Sequence, residues 1–454
     1  MEDFPLTTRV IIVRHGESSY NVERRVQGHC DLSRLTAKGE SMAVQVATAL
    51  KGISLDAAYS SPLSRAKHTA ELILANSDHA PQLQISADLT EIYLPLWEGL
   101  RFDEVEEKYP DEYHAWRTQP HLLKMSLSDE NGTVDFLPVP DIYAQAHQFW
   151  RTALPRHAGE TILIVAHSGI NRALINRAIG LHPEDYQRFH ISNCGISILN
   201  FSGEYGQPVQ IESLNITSHL GETLPRRRSE SQGLRLLLVR HGETEWNRQG
   251  RFQGQIDVPL NENGRSQAAQ AGEFLKSVQI DQAISSSMLR PKETAEIILQ
   301  HHPDLGLDLR DDLREISHGL WEGKLEAEIE QSYPGLLHQW QQHPETVQMP
   351  EGENLQDVWN RAIAAWQAII NAAATRSTDQ PYTILVVAHD AINKAILCHV
   401  SGLGAESFWN FKQGNGAVSV IDYPQGVKAA PLMQAMNITT HLGGVLDKTA
   451  AGAL

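Results

Sequence analysis

An arginine and a histidine follow an apolar run at two places in this chain, each pair preceding a glycine. The stretch Leu236–Thr244 reads LLLVRHGET, and Val10–Ser18 reads VIIVRHGES. An apolar run of strand length places the residues that follow it at the carboxyl edge of a buried strand, where open α/β sheets bind their ligands. Each motif therefore predicts a guanidinium and an imidazole at the carboxyl edge of a sheet. The pairs are Arg14 with His15, and Arg240 with His241.

Further polar residues recur downstream of both motifs. The sets are Arg14, His15, Arg65, Glu91 and His167 in the first half, and Arg240, His241, Arg290, Glu315 and His389 in the second. Two guanidiniums with two imidazoles suit a tetrahedral dianion such as a phosphoryl group. Nearby positive charge lowers a histidine pKa and keeps the ring neutral and nucleophilic, and a carboxylic acid could protonate the leaving oxygen. No clustered Asp/Glu pattern accompanies them, so we expect no metal in the chemical step and no cofactor.

The two halves align along their whole length. The motif histidines are separated by 241 − 15 = 226 residues, and Asn21 and Gln27 meet Asn247 and Gln253 at the same offset. Each half closes with Asn-Ile-Thr-x-His-Leu-Gly. The chain is thus interpreted as a tandem duplication, with domains at residues 1–222 and 234–454. Residues 223–233 between them are polar and aperiodic and are predicted to be a linker, although Arg226–Arg228 could also bind an anionic partner.

Alternating strand and helix patterns define the expected fold class. Thr161–Val165 and Thr383–Val387 are uniformly apolar and rich in β-branched residues, as in central strands covered on both faces. Thr36 and Asn261 are suitable N-caps for the helices that follow. We therefore predict α/β architecture: two tandem three-layer α/β/α domains, each with a mostly parallel central sheet.

Composition limits the partners. A length of 454 residues suits two domains, and no apolar run approaches the ~18 residues of a membrane span. The formal charge of −17 argues against binding to nucleic acid or to an anionic membrane. The three cysteines are scattered, and the first residues lack a signal pattern, so we expect a cytoplasmic protein that acts on a small molecule; a homo-oligomer is left open.

Both halves resemble the histidine phosphatase superfamily, the cofactor-dependent phosphoglycerate mutase-like proteins, whose signature is Arg-His-Gly after the first strand. The resemblance implies that His15 and His241 become phosphohistidine and that Glu91 and Glu315 donate the proton. It also implies two groups of phosphate ligands: the catalytic Arg14, Arg65, His167, Arg240, Arg290 and His389, and the pocket residues Asn21, Gln27, Asn247 and Gln253.

The substrate expectation comes from smaller motifs. The segment from Gly323 to Pro350 is short and lacks the insert typical of the mutases, which favours hydrolysis over phosphoglycerate mutation. Glu315–Gly319 and the terminal Asn437–Gly443 resemble the metal-independent phosphoserine phosphatases, in which a histidine after the glutamate and the C-terminal tail reach the substrate. On this basis His318 is predicted to bind the substrate, and phosphoserine is the expected substrate.

Two alternatives remain open at this point. Similar tandem chains also resemble the 2-carboxyarabinitol 1-phosphate phosphatases, so a sugar-acid phosphate competes with phosphoserine. The first half carries Leu94 and Pro95 where the second has His318 and Gly319, which predicts different leaving-group pockets. A sensor that binds a phosphorylated ligand without turnover is the non-enzymatic alternative, and the full catalytic set in both halves argues against it.

Overall fold

The computed structural model describes residues 7–129, 132–227, 233–376 and 380–449. The chain forms two compact units, Met1–Ile211 with Asn215–Glu222, and Glu212–Leu214 with Thr223–Leu454. Residues 228–232 of the predicted linker, including Arg228, lie outside the described residues. Arg227 donates hydrogen bonds to the carbonyl of Tyr382 and to the hydroxyl of Thr383. The predicted domain limits and linker remain a proposal.

The first half is built around a six-stranded sheet. Its strands are β1 (Thr8–Arg14), β2 (Ala57–Ser60), β3 (Leu83–Ile85), β6 (Thr161–Ala166), β7 (Ile196–Phe201) and β8 (Val209–Ile216), and a separate hairpin contains β4 (Met125–Asp129) and β5 (Gly132–Phe136). The sheet order is β3-β2-β6-β1-β7-β8. Strands β3, β2, β6 and β1 are parallel, whereas β7 pairs with β1 in the antiparallel sense.

Seven helices of the first half lie between or after these strands in the described part of the chain. They are α1 (Ser19–Val22), α2 (Ala37–Ala49), α3 (Ser64–Ala75), α4 (Phe102–Lys108), α5 (Pro110–Thr118), α6 (Pro138–Ala153) and α7 (Ser168–Ala178). Helices α2 and α3 pack together, as do α6 and α7. The apolar residues of β1 and β6 are fully buried because both faces of the sheet are covered.

The second half repeats this arrangement. Its strands are β9 (Leu234–Arg240), β10 (Gln282–Ser286), β11 (Leu307–Arg310), β12 (Tyr382–Ala388), β13 (Val418–Tyr423) and β14 (Leu432–Ile438), in the order β11-β10-β12-β9-β13-β14. Its helices are α8 (Glu245–Gln249), α9 (Glu262–Leu275), α10 (Leu289–Ile298), α11 (Glu326–Ser332), α12 (Leu336–Gln342), α13 (Leu355–Ala374) and α14 (Asp390–Ser401). The predicted α/β class with a mostly parallel sheet is confirmed in each half.

Local sequence signals account for several element ends. Thr36 and Asn261 cap α2 and α9, accepting hydrogen bonds from the backbone N–H groups of Gly39 and Gly264, as predicted. The sequence analysis did not identify β3, β7 and β8 of the first half, β11, β13 and β14 of the second half, or the hairpin of β4 and β5. No helix among the described residues is long and apolar enough to cross a membrane.

Candidate active sites

Each Arg-His-Gly motif leaves the carboxyl end of the central parallel strand of its half. Arg240 is the last residue of β9, and the backbone N–H of His241 donates to the carbonyl of Ala388 at 3.1 Å, which continues the pairing with β12. A Cβ at Gly242 would lie 2.3 Å from the carbonyl oxygen of Gly264 in α9. Only glycine allows this approach, so the motif and the start of α9 together fix the position of His241.

A backbone carbonyl orients the ring of each motif histidine. His241 Nδ1 lies 2.7 Å from the carbonyl oxygen of Gly242, and His15 Nδ1 lies 2.7 Å from that of Gly16. A carbonyl only accepts, so Nδ1 carries the proton in both rings. The unprotonated Nε2 of each ring is therefore the atom available for attack on phosphorus.

Two guanidiniums accompany each of these histidines. In the second half, Arg290 Nε donates to His241 Nε2 at 3.2 Å, and its Nη2 donates to the carbonyl of Gly254 at 2.8 Å. Arg240 is anchored by the carbonyl of Gln413. Their counterparts Arg65 and Arg14 are also held by backbone carbonyls, those of Gly28 and Cys30 and that of Ile191. The fixed geometry suits a tetrahedral anion beside the imidazole.

A second histidine faces each motif histidine. The His241 and His389 ring centroids are 5.2 Å apart, and those of His15 and His167 are also 5.2 Å apart. Hydroxyls position these second rings: His389 Nε2 lies 2.9 Å from Ser286 Oγ, and His167 Nε2 lies 2.8 Å from Ser61 Oγ. Each half thus holds two imidazole rings at the same centroid distance.

Burial lowers the pKa of all four histidines well below the ordinary value, and the neighbouring arginines lower it further. The cationic form is disfavoured because the rings are removed from water and face guanidinium charge. His15 and His241 are accordingly neutral at physiological pH, the state that a nucleophile requires.

One small cavity in the second half joins most of the predicted residues. It is lined by Arg240, His241, Asn247, Gln253, Gly254, Arg290 and Glu315. Asn247 closes the capping box of α8, accepting from the backbone N–H of Thr244 at 3.1 Å. In the first half, Asn21 closes the matching box of α1, and Gln27 Oε1 accepts from Ser18 Oγ at 3.1 Å.

Glu315 is a buried acid at the edge of the second-half cavity. Its Oε1 accepts from the backbone N–H groups of Ile316 at 3.0 Å and Ala391 at 3.2 Å. Burial raises the pKa of Glu315 to about 7, with Asp390 contributing in the same direction. A carboxyl that is partly protonated at neutral pH can act as a general acid. Glu91 in the first half accepts from Gly169, Ile170 and Ile92 N–H groups.

The comparison with known families agrees with this geometry. The model of the histidine phosphatase superfamily (branch 1) matches residues 10–215 and 236–435. The chain belongs to the histidine phosphatase superfamily. It is therefore a phosphatase enzyme with two tandem family repeats, and the roles of the individual residues remain proposals.

Relatives of this histidine phosphatase differ in the share of the chain that they match. The 2-carboxy-D-arabinitol-1-phosphatase of Triticum aestivum is 30% identical over 445 residues, which cover 96% of this chain and 86% of the relative. Phosphoserine phosphatase 1 of Hydrogenobacter thermophilus is 33% identical over 210 residues, covering 46% of this chain and 95% of the relative. Among solved structures, Bacillus stearothermophilus YhfR is 32% identical, with a TM-score of 0.40, covering 42% of this chain and 93% of that one.

His318 packs in an aromatic cluster and is not among the residues that line the cavity. Its side chain is fully buried against the rings of Phe252 and Trp340, and burial lowers its pKa to about 3. Neither ring nitrogen has a hydrogen-bond partner. Gly319, which follows with a positive φ of 54°, lies in the turn that directs this imidazole into the aromatic cluster. That His318 binds the substrate stays a prediction.

Several residues that hold the histidine phosphatase sites were not identified from sequence. Asn415 Nδ2 donates to the carbonyl of His241 at 3.2 Å, and Asn193 Nδ2 does the same for His15 at 2.9 Å. The internal repeat could have identified them, because Asn193 and Asn415 are separated by 415 − 193 = 222 residues, the same offset as His167 and His389. Asn437, from the closing motif, accepts from the N–H of Gly414 in the loop that carries Asn415. The closing motif thus supports a site loop, which differs from the substrate contact suggested by the resemblance.

Two glutamates to which the sequence analysis gave no role support the loops that contain Gly254 and Gly28. Glu322 accepts from the N–H groups of Gln255 and Ile256, both at 2.9 Å, and Glu98 accepts from that of His29 at 2.7 Å. These loops carry the carbonyls that anchor Arg290 and Arg65. Among the described residues, no group of three or more His, Cys, Asp or Glu side chains could hold a metal ion.

A buried ion pair distinguishes the second site from the first. Asp390 Oδ1 lies 3.2 Å from Arg240 Nη1, and Asp390 Oδ2 lies 2.7 Å from Lys394 Nζ. The repeat places Ser168 and Arg172 at these positions in the first half, at the same offset of 222. At these aligned positions, only the second half therefore has a negatively charged side chain near its proposed proton donor, Glu315.

Exchanging this pair for the first-half residues tests its effect on Glu315. In a His15→Ala background, Asp390→Ser with Lys394→Arg removes a charge that disfavours ionisation of Glu315, so the pKa of Glu315 falls. Activity that needs protonated Glu315 is lost as pH rises through about 7, and we expect this limb to move down by about half a unit to one unit. The kcat–pH profile for an alkyl phosphate measures it, with Lys394→Arg alone as the control. An unchanged limb would exclude this role for Asp390.

Proposed function

We propose that this histidine phosphatase hydrolyses a small phosphorylated metabolite through phosphohistidine, with a sugar-acid phosphate such as 2-carboxy-D-arabinitol 1-phosphate as its main substrate. The observation that carries the mechanism is the shared lining of one cavity by His241, two arginines and Glu315. The substrate proposal is supported by the Triticum aestivum relative, whose similarity extends across 96% of this chain and therefore both halves.

The first chemical step transfers the phosphoryl group to the enzyme. His241 Nε2 attacks phosphorus, the bond between phosphorus and the alcohol oxygen breaks, and Glu315 donates its proton to that oxygen. Arg240 and Arg290 stabilise the charge on the non-bridging oxygens, and their carbonyl anchors hold them in place during the transfer. The products of this step are the free alcohol and phosphohistidine at His241.

The second step returns the enzyme to its starting state. The carboxylate of Glu315 accepts a proton from a water molecule, and that water attacks phosphorus. The bond between phosphorus and Nε2 breaks, which releases inorganic phosphate and neutral His241. The first half supports the same two steps with His15, Arg14, Arg65 and Glu91 in the corresponding roles.

Phosphoserine is the second candidate substrate. It is favoured by the 33% identity to phosphoserine phosphatase 1 of Hydrogenobacter thermophilus, which covers 46% of this chain. The sequence argument for phosphoserine depended on substrate contacts by His318 and by the closing Asn437–Gly443 motif. The similarity to this relative covers a smaller share of the chain than the similarity to the Triticum aestivum relative does, so phosphoserine takes second place.

A substrate panel tests this order directly. Phosphate release is measured for 2-carboxy-D-arabinitol 1-phosphate, phosphoserine and 3-phosphoglycerate with the intact chain, His15→Ala and His241→Ala. We expect the highest kcat/KM for the sugar-acid phosphate. A tenfold preference for phosphoserine would reverse the order without affecting the mechanism, whereas binding without phosphate release would support the sensor alternative.

Activity is expected to survive extensive chelation. Arginine side chains supply the positive charge that a metal ion provides in other phosphatases, so neither step above requires a cation. Turnover should stay within about twofold of its starting value after dialysis against EDTA and in its presence. A larger loss that Mg²⁺ or Zn²⁺ restores would contradict the proposed chemistry.

A further inference from the structure

Three aromatic rings form a continuous stack in the first half. The His29 and Tyr93 ring centroids are 4.5 Å apart with an interplanar angle of 30°, and Tyr93 and Phe136 are 5.7 Å apart at 21°. His29 is exposed, and Tyr93 and Phe136 are half-buried. Phe136 ends β5 of a hairpin that leaves Val134 65% exposed, so the stack lies outside the buried core.

The stack adjoins the reacting groups of the first site. His29 lies between Gly28 and Cys30, whose carbonyls both accept from Arg65. His29 Nε2 also lies 2.7 Å from the carbonyl oxygen of Glu91. Glu91 is the proposed proton donor to the leaving alcohol. The rings therefore lie beside the segment that carries the proton donor to the alcohol.

The second half has polar groups at the corresponding positions. The repeat aligns His29 with Gln255 and Tyr93 with Ser317, since 255 − 29 = 226 and 317 − 93 = 315 − 91 = 224. The N–H of Ser317 donates to Glu353 Oε2 at 2.8 Å, and Glu353 forms an ion pair with Arg361 at 2.9 Å. A polar rim thus replaces the aromatic stack beside Glu315.

We propose that the first site selects phosphomonoesters whose alcohol carries a flat aromatic ring, which packs against the exposed part of the stack of His29, Tyr93 and Phe136. Aromatic rings attract one another beyond the area they bury, and a stack of exposed and half-buried rings leaves surface for a further ring. The proposal rests on the phosphohistidine mechanism at His15. It makes the two halves complementary: a polar alcohol suits the second site and an aromatic alcohol the first.

Three alkyl phosphates separate stacking from other effects. Benzyl, cyclohexylmethyl and ethyl phosphate all release an aliphatic alcohol and need similar protonation, but only benzyl phosphate has a flat ring. Phosphate release is measured in His241→Ala, where the first site works alone, and in His15→Ala. In His241→Ala we expect kcat/KM for benzyl phosphate to exceed those for the other two esters by about tenfold, and we expect no such preference in His15→Ala.

Substitutions in the stack then assign the preference to its rings. In the His241→Ala background, Tyr93→Ser installs the second-half residue, and Phe136→Ala removes the outer ring. Each should raise KM for benzyl phosphate about fivefold while kcat and the turnover of ethyl phosphate stay within about twofold. Phe102→Ala removes a ring that is 39% exposed and outside the stack, and serves as the control.

The outcomes separate this proposal from the phosphatase mechanism. Equal kcat/KM for the three esters in His241→Ala, or a benzyl preference that both stack variants retain, would overturn the aromatic selection alone. Absence of turnover in His241→Ala on every ester, with His15→Ala active, would show that the first site does not hydrolyse phosphate esters and would overturn both for that half.

Discussion

Replacing both His15 and His241 by alanine is expected to lower phosphatase kcat/KM on the order of 1,000-fold or more. Each variant removes the neutral imidazole that a backbone carbonyl orients in its half. Either single variant should keep the activity of the other half. Phosphate release by the two single variants and the double variant measures the effect.

Labelling tests the covalent intermediate independently of turnover. Brief incubation with a ³²P-labelled substrate followed by denaturation should leave acid-labile label on the intact chain and on each single variant, and none on the double variant. His147→Ala and His338→Ala are matched controls, because these histidines lie on α6 and α12 outside both sites. Full activity or undiminished label in the double variant would rule out both nucleophiles.

Glu315→Gln, made in a His15→Ala background, is expected to slow the hydrolysis of an alkyl phosphate by about 100-fold or more. Glutamine fills the same space but cannot donate a proton to the leaving alkoxide. With p-nitrophenyl phosphate the first step should remain fast, because nitrophenolate leaves without protonation. The second step should still be slow, because no carboxylate is present to deprotonate water.

Transient kinetics distinguish these two steps. The Glu315→Gln variant should release about one equivalent of nitrophenol per site in a burst and then turn over slowly, while phosphohistidine accumulates. For an alkyl phosphate, the limb on which kcat falls as pH rises through about 7, which reports the raised pKa of Glu315, should also disappear. Equal loss of the burst and of steady turnover would assign Glu315 a structural role.

Sequence alone determined the duplication and the chemical type of both sites. Arg-His-Gly after an apolar run, with an arginine, a glutamate and a second histidine downstream, recurs at nearly constant spacing, and such a pattern is independent of packing details. Local signals also predicted the N-caps Thr36 and Asn261 and the main parallel strands. These features depend on short-range periodicity and on capping residues, both of which can be identified in the sequence itself.

The tertiary structure decided what surrounds each phosphate-binding group. Burial of His318 among aromatic rings, the contact of Asp390 with Arg240, and the stack of His29, Tyr93 and Phe136 all join residues from separate segments. Sequence spacing cannot show which way such side chains point, because loop packing sets their direction. The repeated sequence motifs are therefore sufficient to predict the phosphoryl chemistry of both sites. The difference between the two leaving-group environments depends on how the loops pack, so only the tertiary structure shows it.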